Sequence, residues 1–365
     1  MNIFFRTDSS TQIGTGHVAR CLTLAELLQK NGANCRFICR EHEGNLIEQI
    51  QQCNFLVSVL PAGVNKNISC TTANNKNSDY KSWLGVDWKT DAELTKSIIK
   101  NNAVDWLIVD HYALDAAWEK ELQSFCTKLM VIDDLADRKH DCDILLDQNL
   151  GRTKCDYKEL VPDACTILAG PRYALIRDEF WRLQDKEKNY NKSHFNVLIF
   201  YGGIDAVNHT GWTIELLNDM ELSNMHVEVV VGAQNSNIKQ INSACENYGY
   251  TCHVQTDHMA EIMHRSDLYI GAGGGAILER IMMKLPSVTI AVAENQIEPL
   301  KYFSKTGASI YLAADESFSD EGFKQAILQA LIDIKSLTKN CEILCEEFFS
   351  DRVHWLQKLL IKQSS

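Results

Sequence analysis

Proline, positive charge and closely paired cysteines are all scarce in this sequence. Five Pro and 19 Gly in 365 residues exclude collagen-like and Pro/Gly-rich disordered chains, and 45% hydrophobic residues are too many for general disorder. Lys and Arg number 36 against 48 Asp and Glu, a formal net charge of −12. Nucleic acid and anionic membranes are held through clustered basic side chains that displace counterions, so neither is expected as a partner. A small anionic ligand stays open, because a few local donors suffice for it. No run approaches the ~18 apolar residues of a membrane span, and MNIFFRTDSS has neither a basic n-region nor an apolar h-region. The expectation is a cytoplasmic protein. The 13 Cys run from Cys21 to Cys345 with no C-x-x-C pair, which argues against a disulfide framework or zinc ribbon. Cys35 and Cys39 in a strand-like run, and Cys341 and Cys345 one helical turn apart, fit small buried hydrophobes.

What the chain does have is alternation. Apolar, β-branched or aromatic runs at 2–6, 35–39, 55–59, 105–110, 128–132 and 143–146 are separated by helical periodicity at 17–31, 44–52, 91–101 and 115–125. Strands without polar alternation, spaced by helices, predict a parallel sheet covered on both faces. The pattern restarts at 195–201, 226–231, 267–270 and 287–292, so two successive α/β units are expected. The polar stretch 183–194 marks the join, giving domains at 1–182 and 195–335 and a C-terminal helical segment at 336–365. The Asn-, Ser- and Thr-rich stretch 62–82 is expected to be a long surface loop.

The segment Arg6 to Ala25, RTDSSTQIGTGHVARCLTLA, carries the most chemistry. Gly14-x-Gly16-x-x-Ala19 satisfies the dinucleotide pattern, but seven residues separate Arg6 from Gly14 and no acidic residue ends the second strand. A nicotinamide or flavin site is therefore disfavoured. The loop does place His17 in the first turn of a helix, where the macrodipole disfavours imidazolium and a neutral general base is available. An isolated histidine at a helix start is more often structural, and Asp8 and Ser10 can serve as caps.

A second site is Gly271-Ala-Gly-Gly-Gly275, between a strand and a helix. Its exposed amides suit a diphosphate without lysine or metal, with Glu279 one turn on, able to accept from ribose hydroxyls. A tight turn would need only one or two of those glycines. Gly202-Gly203-Ile204-Asp205, Asp110-His111-Tyr112 and Asn295-Gln296 each end a strand, where open α/β sheets bind ligands. Asp133-Asp134 and Asp141-x-Asp143 have the chemistry for a divalent metal, but they are expected to be mainly structural.

Taken together, the opening segment, DHY at 110–112, DD at 133–134, CDILLDQN at 142–149, AGPRYALIRDEF at 169–180, GGID at 202–205, the glycine turn and ENQ at 294–296 resemble the UDP-sugar hydrolases of pseudaminic acid biosynthesis. The likeness runs from residue 1 to about 315. It implies a glycosyltransferase-B-like α/β fold, with two Rossmann-like domains facing a cleft. It further implies metal-independent, inverting hydrolysis of UDP-2,4-diacetamido-2,4,6-trideoxy-β-L-altropyranose to UDP and the free sugar, without a cofactor. By the resemblance His17 activates the water, and Tyr112, Asn295 and Gln296 line the sugar site together with Gly16. Gly202, Gly203, Gly273, Gly274, Gly275 and Glu279 hold UDP. Arg6, Asp8 and Arg177 match on the substrate side without an assigned role. The stretch 62–82 and the segment beyond about 330 fall outside the recognisable motifs, and the latter is expected to be a helix packing back on the first domain.

The expected mechanism is single displacement, with UDP a good enough leaving group to need no strong general acid. The alternative is an inverting UDP-sugar glycosyltransferase on the same fold. A non-catalytic nucleotide-sugar sensor and a dehydrogenase are more distant rivals.

Overall fold

In the computed structural model, which describes residues 1–63, 80–188, 194–313 and 319–350, the run NIFFRT forms β1 (Asn2–Thr7) in the middle of a parallel sheet. Neighbouring β1 side chains point to opposite faces, and both faces are dry. Ile3 and Phe5 join a core with Leu24, Leu28 and Trp106, while Phe4 joins another with Leu107, Leu129 and Trp118. Burial on both sides is why the strand is apolar without alternation.

The first compact unit runs from Met1 to Leu175. It adds β2 (Asn34–Arg40), β3 (Leu56–Leu60), β4 (Trp106–Asp110), β5 (Lys128–Ile132), β6 (Ile144–Asp147) and β7 (Thr166–Ala169). Their spatial order is β3-β2-β1-β4-β5-β6-β7. Phe5 sits in register with Phe37 on one side and Ile108 on the other. The described helices are α1 (Gly16–Lys30), α2 (Ile47–Gln52), α3 (Trp88–Ile99) and α4 (Ala116–Leu122). In α1 the spacing of Val18, Cys21, Leu22, Ala25 and Leu28 buries one face against the sheet. Asp87 starts α3 by accepting from the amides of Lys89 and Thr90.

The second unit begins at Ile176. Its sheet contains β8 (Phe195–Phe200), β9 (Met225–Val231), β10 (Thr251–Val254), β11 (Leu268–Ala272), β12 (Ser287–Ile290) and β13 (Ser309–Leu312). All are parallel, in the order β10-β9-β8-β11-β12-β13. The helices are α5 (Asp178–Leu183), α6 (His209–Asp219), α7 (Ile238–Tyr248), α8 (Met259–Arg265), α9 (Ala276–Met282), α10 (Ile297–Lys305), α11 (Asp320–Ile332) and α12 (Ile334–Phe349).

Three features differ from expectation. The unanticipated strands β7, β10 and β13 are all sheet edges, where one side lacks a neighbour and TILA, TCHV and SIYL are only partly buried. The polar stretch 183–194 is not the join: Phe180 is buried, Gln184 donates to the Phe349 carbonyl at 3.2 Å, and Lys188 donates to the Ser266 carbonyl at 3.2 Å. The chain has therefore entered the second unit before that stretch starts. Finally, α12, the described part of the C-terminal segment, packs on the second unit. Leu337 joins its core, and the Cys341 and Cys345 thiols donate to the carbonyls of Ala308 and Met282 at 3.5 and 3.6 Å. Most of the 62–82 stretch and everything past 350 lie outside the described residues. Among those described, no helix is long and apolar enough to cross a membrane.

Candidate active site

In the first sheet the chain builds outward on both sides of β1 and β4, so these neighbouring strands form a topological switch point. Beyond the carboxyl ends of such strands the flanking loops diverge and leave room for a ligand. The β1 end leads through Asp8 and Ser10 to Gly16 and His17 at the start of α1, and the β4 end is Asp110, followed by His111 and Tyr112.

There His17 Nδ1 lies 2.5 Å from Asp110 Oδ1. The buried Asp110 also accepts from Arg20 Nε at 2.5 Å and Nη2 at 2.6 Å, while Arg20 Nη1 reaches Asp134 at 2.7 Å. Burial pushes the Asp110 carboxyl up, but Arg20 and then His17 outweigh it and hold it well below the usual carboxylate range. An ionised Asp110 assigns the proton of neutral His17 to Nδ1 and leaves Nε2 with a lone pair. Among the described residues the ring's hydrogen-bond contacts are both at Nδ1, with Asp110 and, at 3.2 Å, with Arg20 Nη2, and Nε2 makes none. The ring meets Tyr112 edge-on at 4.5 Å, and Trp83 and Tyr80 pack on Tyr112 at 5.7 and 5.1 Å. Gly16 faces open space, with nothing within 4 Å of where a Cβ would stand.

Arg6 and Asp8 are not placed to touch a substrate. Both are 0% exposed, and Arg6 is spent on Asp8 at 2.6 and 2.8 Å and on Asp91 at 3.1 and 2.7 Å. Asp8 also accepts the Arg40 amide at 2.7 Å, and Asp91 accepts Arg40 Nη2 at 2.6 Å and Trp118 Nε1 at 3.0 Å. This network ties the ends of β1 and β2 to α3. The aspartates weighed as metal ligands are engaged as well. Asp133 pairs with Arg138 at 2.7 Å and accepts from Tyr157, Asp134 holds Arg20, and Asp143 pairs with Lys128 at 2.6 Å.

The second sheet repeats the geometry, with β8 and β11 as the switch-point pair. Gly202 and Gly203 follow β8, and Gly273–Gly275 follow β11. Two glycines permit close backbone approach: a Cβ on Gly271 would lie 1.9 Å from the Phe200 carbonyl oxygen, and one on Gly232 2.1 Å from that of Gly203. A Cβ on Gly273 would press on Leu300 at 2.9 Å, and Gly274 has φ +76. Gln296 Nε2 is 3.6 Å from the Cβ position of Gly274, which joins the ENQ segment to the glycine turn. Asn295 is exposed on the short turn Glu294–Gln296. Arg177, beside α5, binds Glu279 of α9 at 2.8 Å and Glu179 at 2.7 Å. Two residues assigned to different roles are thus partners.

Sequence reasoning missed Asp110 as the partner of His17, and Arg20 altogether. Arg20 lies three residues past His17 on the same helix face, and that spacing is itself a signal. Trp83 and Tyr80 carry none, because only the fold brings them to Tyr112.

The chain is similar in fold to a spinosyn rhamnosyltransferase, SpnG, complexed with thymidine diphosphate, with TM-score 0.67, 14% identity and 96% of each chain covered. MurG of Acinetobacter baumannii gives TM-score 0.58 at 13% identity over 94% of each chain. The fold is glycosyltransferase-B. Within this glycosyltransferase-B chain, residues 196–352 match the glycosyltransferase family 28 C-terminal domain. The chain is also 27% identical over 312 residues to the UDP-2,4-diacetamido-2,4,6-trideoxy-β-L-altropyranose hydrolase of Campylobacter jejuni, covering 85% of this chain and 98% of that protein.

Proposed function

We propose that this chain is a nucleotide-sugar-processing enzyme that hydrolyses a UDP-sugar at the anomeric carbon. The observation that carries the reading is the His17–Asp110 pair, with Nε2 of His17 left available. The Campylobacter likeness supplies the substrate, UDP-2,4-diacetamido-2,4,6-trideoxy-β-L-altropyranose. Water attacks C1 from the face opposite UDP, its oxygen forming the new C1–O bond while the old C1–O bond to the diphosphate breaks. His17 Nε2 takes the water proton, and Asp110 stabilises the resulting imidazolium. The configuration at C1 is inverted. The backbone amides around Gly202–Gly203 and Gly273–Gly275 hold the diphosphate, and Glu279 the ribose. Tyr112, Gln296 and Asn295 are assigned to the sugar. The proposed step calls on no metal or cofactor. The enzyme works in the cytoplasm on a small-molecule substrate.

The test is to follow anomeric proton signals by NMR during turnover of the UDP-sugar with no acceptor added. Release of UDP together with free sugar of inverted configuration is expected, and His17→Ala should abolish most turnover while UDP still binds. An unaffected rate in that variant would sink the assignment. The second reading is an inverting glycosyltransferase, favoured by the match of residues 196–352; it requires that UDP release wait for an acceptor.

A further inference from the structure

Arg280, one residue past Glu279 on α9, is 0% exposed and has no carboxylate at ion-pair distance among the described residues. Nη1 donates to the carbonyl of Ala272, the last residue before Gly273, at 2.9 Å. The guanidinium lies 4.2 Å from the centre of the Tyr269 ring and 5.8 Å from that of Phe303. Nε and Nη2 have no hydrogen-bond partner among the described residues. Burial pushes this group below the ordinary arginine value, with Tyr269 opposing, yet an arginine remains charged across the working pH range.

A buried charge without a counter-charge is normally avoided, because removing an ion from water costs several kcal/mol. The other fully buried arginines show the usual remedy: Arg6 and Arg40 both bind Asp91. Glu279, the acid nearest in sequence, is engaged by Arg177. The Tyr269 face and the Ala272 carbonyl hold the guanidinium in place, but neither supplies a counter-charge. The charge of Arg280 is therefore left without an anion, and it lies against the backbone that enters the glycine turn.

We infer that Arg280 is a fixed positive charge behind the Gly273–Gly275 turn that favours the diphosphate of a bound nucleotide; this rests on the reading of the second unit as the UDP site. In a low-dielectric setting a guanidinium bonded to the backbone of the turn acts on an anion there without touching it. The same charge stabilises UDP as it departs, because negative charge grows on the diphosphate while the C1–O bond breaks. Arg280 is a positioning residue, working through the turn and its field.

The experiment is calorimetric titration of the full chain with UDP and, separately, with uridine, for the wild type, Arg280→Met and Arg280→Lys. The Met variant is expected to bind UDP at least about tenfold more weakly while uridine changes by less than about twofold, and the Lys variant to keep most of the UDP affinity. Equal weakening toward both ligands, or no weakening toward UDP, overturns the inference. If Arg280→Met does not fold, Arg280→Gln against Arg280→Lys makes the same comparison of neutral with charged. A wild type that binds neither ligand refutes the nucleotide-site reading itself, and that control separates the two failures.

Discussion

His17 and Asp110 are 93 residues apart in the chain, and their side chains meet at 2.5 Å because β1 and β4 are neighbours in the sheet. The aspartate does for the histidine what a helix dipole cannot. It fixes the tautomer and the ring direction, and it supplies a counter-charge when Nε2 takes up a proton. Arg20 binds the same carboxylate through two nitrogens, so Asp110 is itself held in place.

Asp110→Asn should therefore lower kcat by roughly 10²–10⁴-fold, with UDP affinity unchanged. An amide cannot hold the proton on Nδ1 as a carboxylate does. The variant should also be less stable, since Arg20 loses one of its two carboxylates. Steady-state UDP release, together with a titration of UDP binding, checks both expectations. Wild-type turnover in this variant would remove Asp110 from the mechanism.

The glycines of the second unit should separate sharply on substitution. Gly271→Ala would drive Cβ to 1.9 Å from a backbone oxygen, whereas Gly275→Ala meets nothing within 4 Å. Loss of soluble folded protein is expected for the first and a nearly unchanged melting temperature for the second. Gly273→Ala lies between them, because its obstacle at 2.9 Å is the Leu300 side chain. It should cost about 1–3 kcal/mol, and Leu300→Ala in the same chain should recover part of that. Thermal melts of the four variants decide it.

Stability of the first unit should pass through a maximum on the acid side of neutrality. Asp133 is buried, but Arg138 and His140 hold its carboxyl down to about 2. With a folded value below the unfolded one, its contribution is present above the unfolded value and is lost as pH falls toward 2. Asp8 and Asp91 shift in the same direction beside Arg6. Asp147 runs the other way. Burial pushes it up to about 7, although Arg152 Nε lies 3.1 Å away, since that arginine is partly exposed. Its neighbour Tyr157 lies 2.8 Å from Asp147 and 2.9 Å from Asp133. One hydroxyl proton cannot serve two carboxylates, so a protonated Asp147 donating to Tyr157 completes the chain. A raised folded value gives stability that is full at low pH and lost as pH rises through about 7. Asp147→Asn should flatten the neutral limb of a plot of melting temperature against pH and leave the acid limb in place.

Glu279→Ala should weaken UDP by about tenfold or more and weaken 2′,3′-dideoxyuridine diphosphate much less. The difference isolates the ribose hydroxyls. Equal losses for both nucleotides would mean that Glu279 acts only by holding Arg177 at 2.8 Å.

The interior strands are legible in the sequence, and the reason is burial on both faces. Strands such as β1, β4, β8 and β11 read as apolar runs because their central positions are buried. Edge strands β7, β10 and β13 lose that signature, and the polarity at 183–188 hides the start of the second unit at Ile176, because these largely exposed or half-buried residues carry no core pattern. The glycine turns are legible for a related reason: close backbone approach excludes every other residue, so the need is written at the position itself.

By itself, then, the sequence determined two parallel α/β units, the turns that end their central strands and the presence of His17 at the head of a helix. Each follows from local periodicity or from one residue's conformational range. The partnerships were decided only by tertiary structure. Strand order brought Asp110 to His17, burial turned Arg6 and Asp8 from candidate contacts into a brace, and helix packing enclosed Arg280 without a counter-ion. His17 and Asp110 stand 93 residues apart and Arg6 and Asp91 85 apart, so no short window of sequence contains both members of either pair.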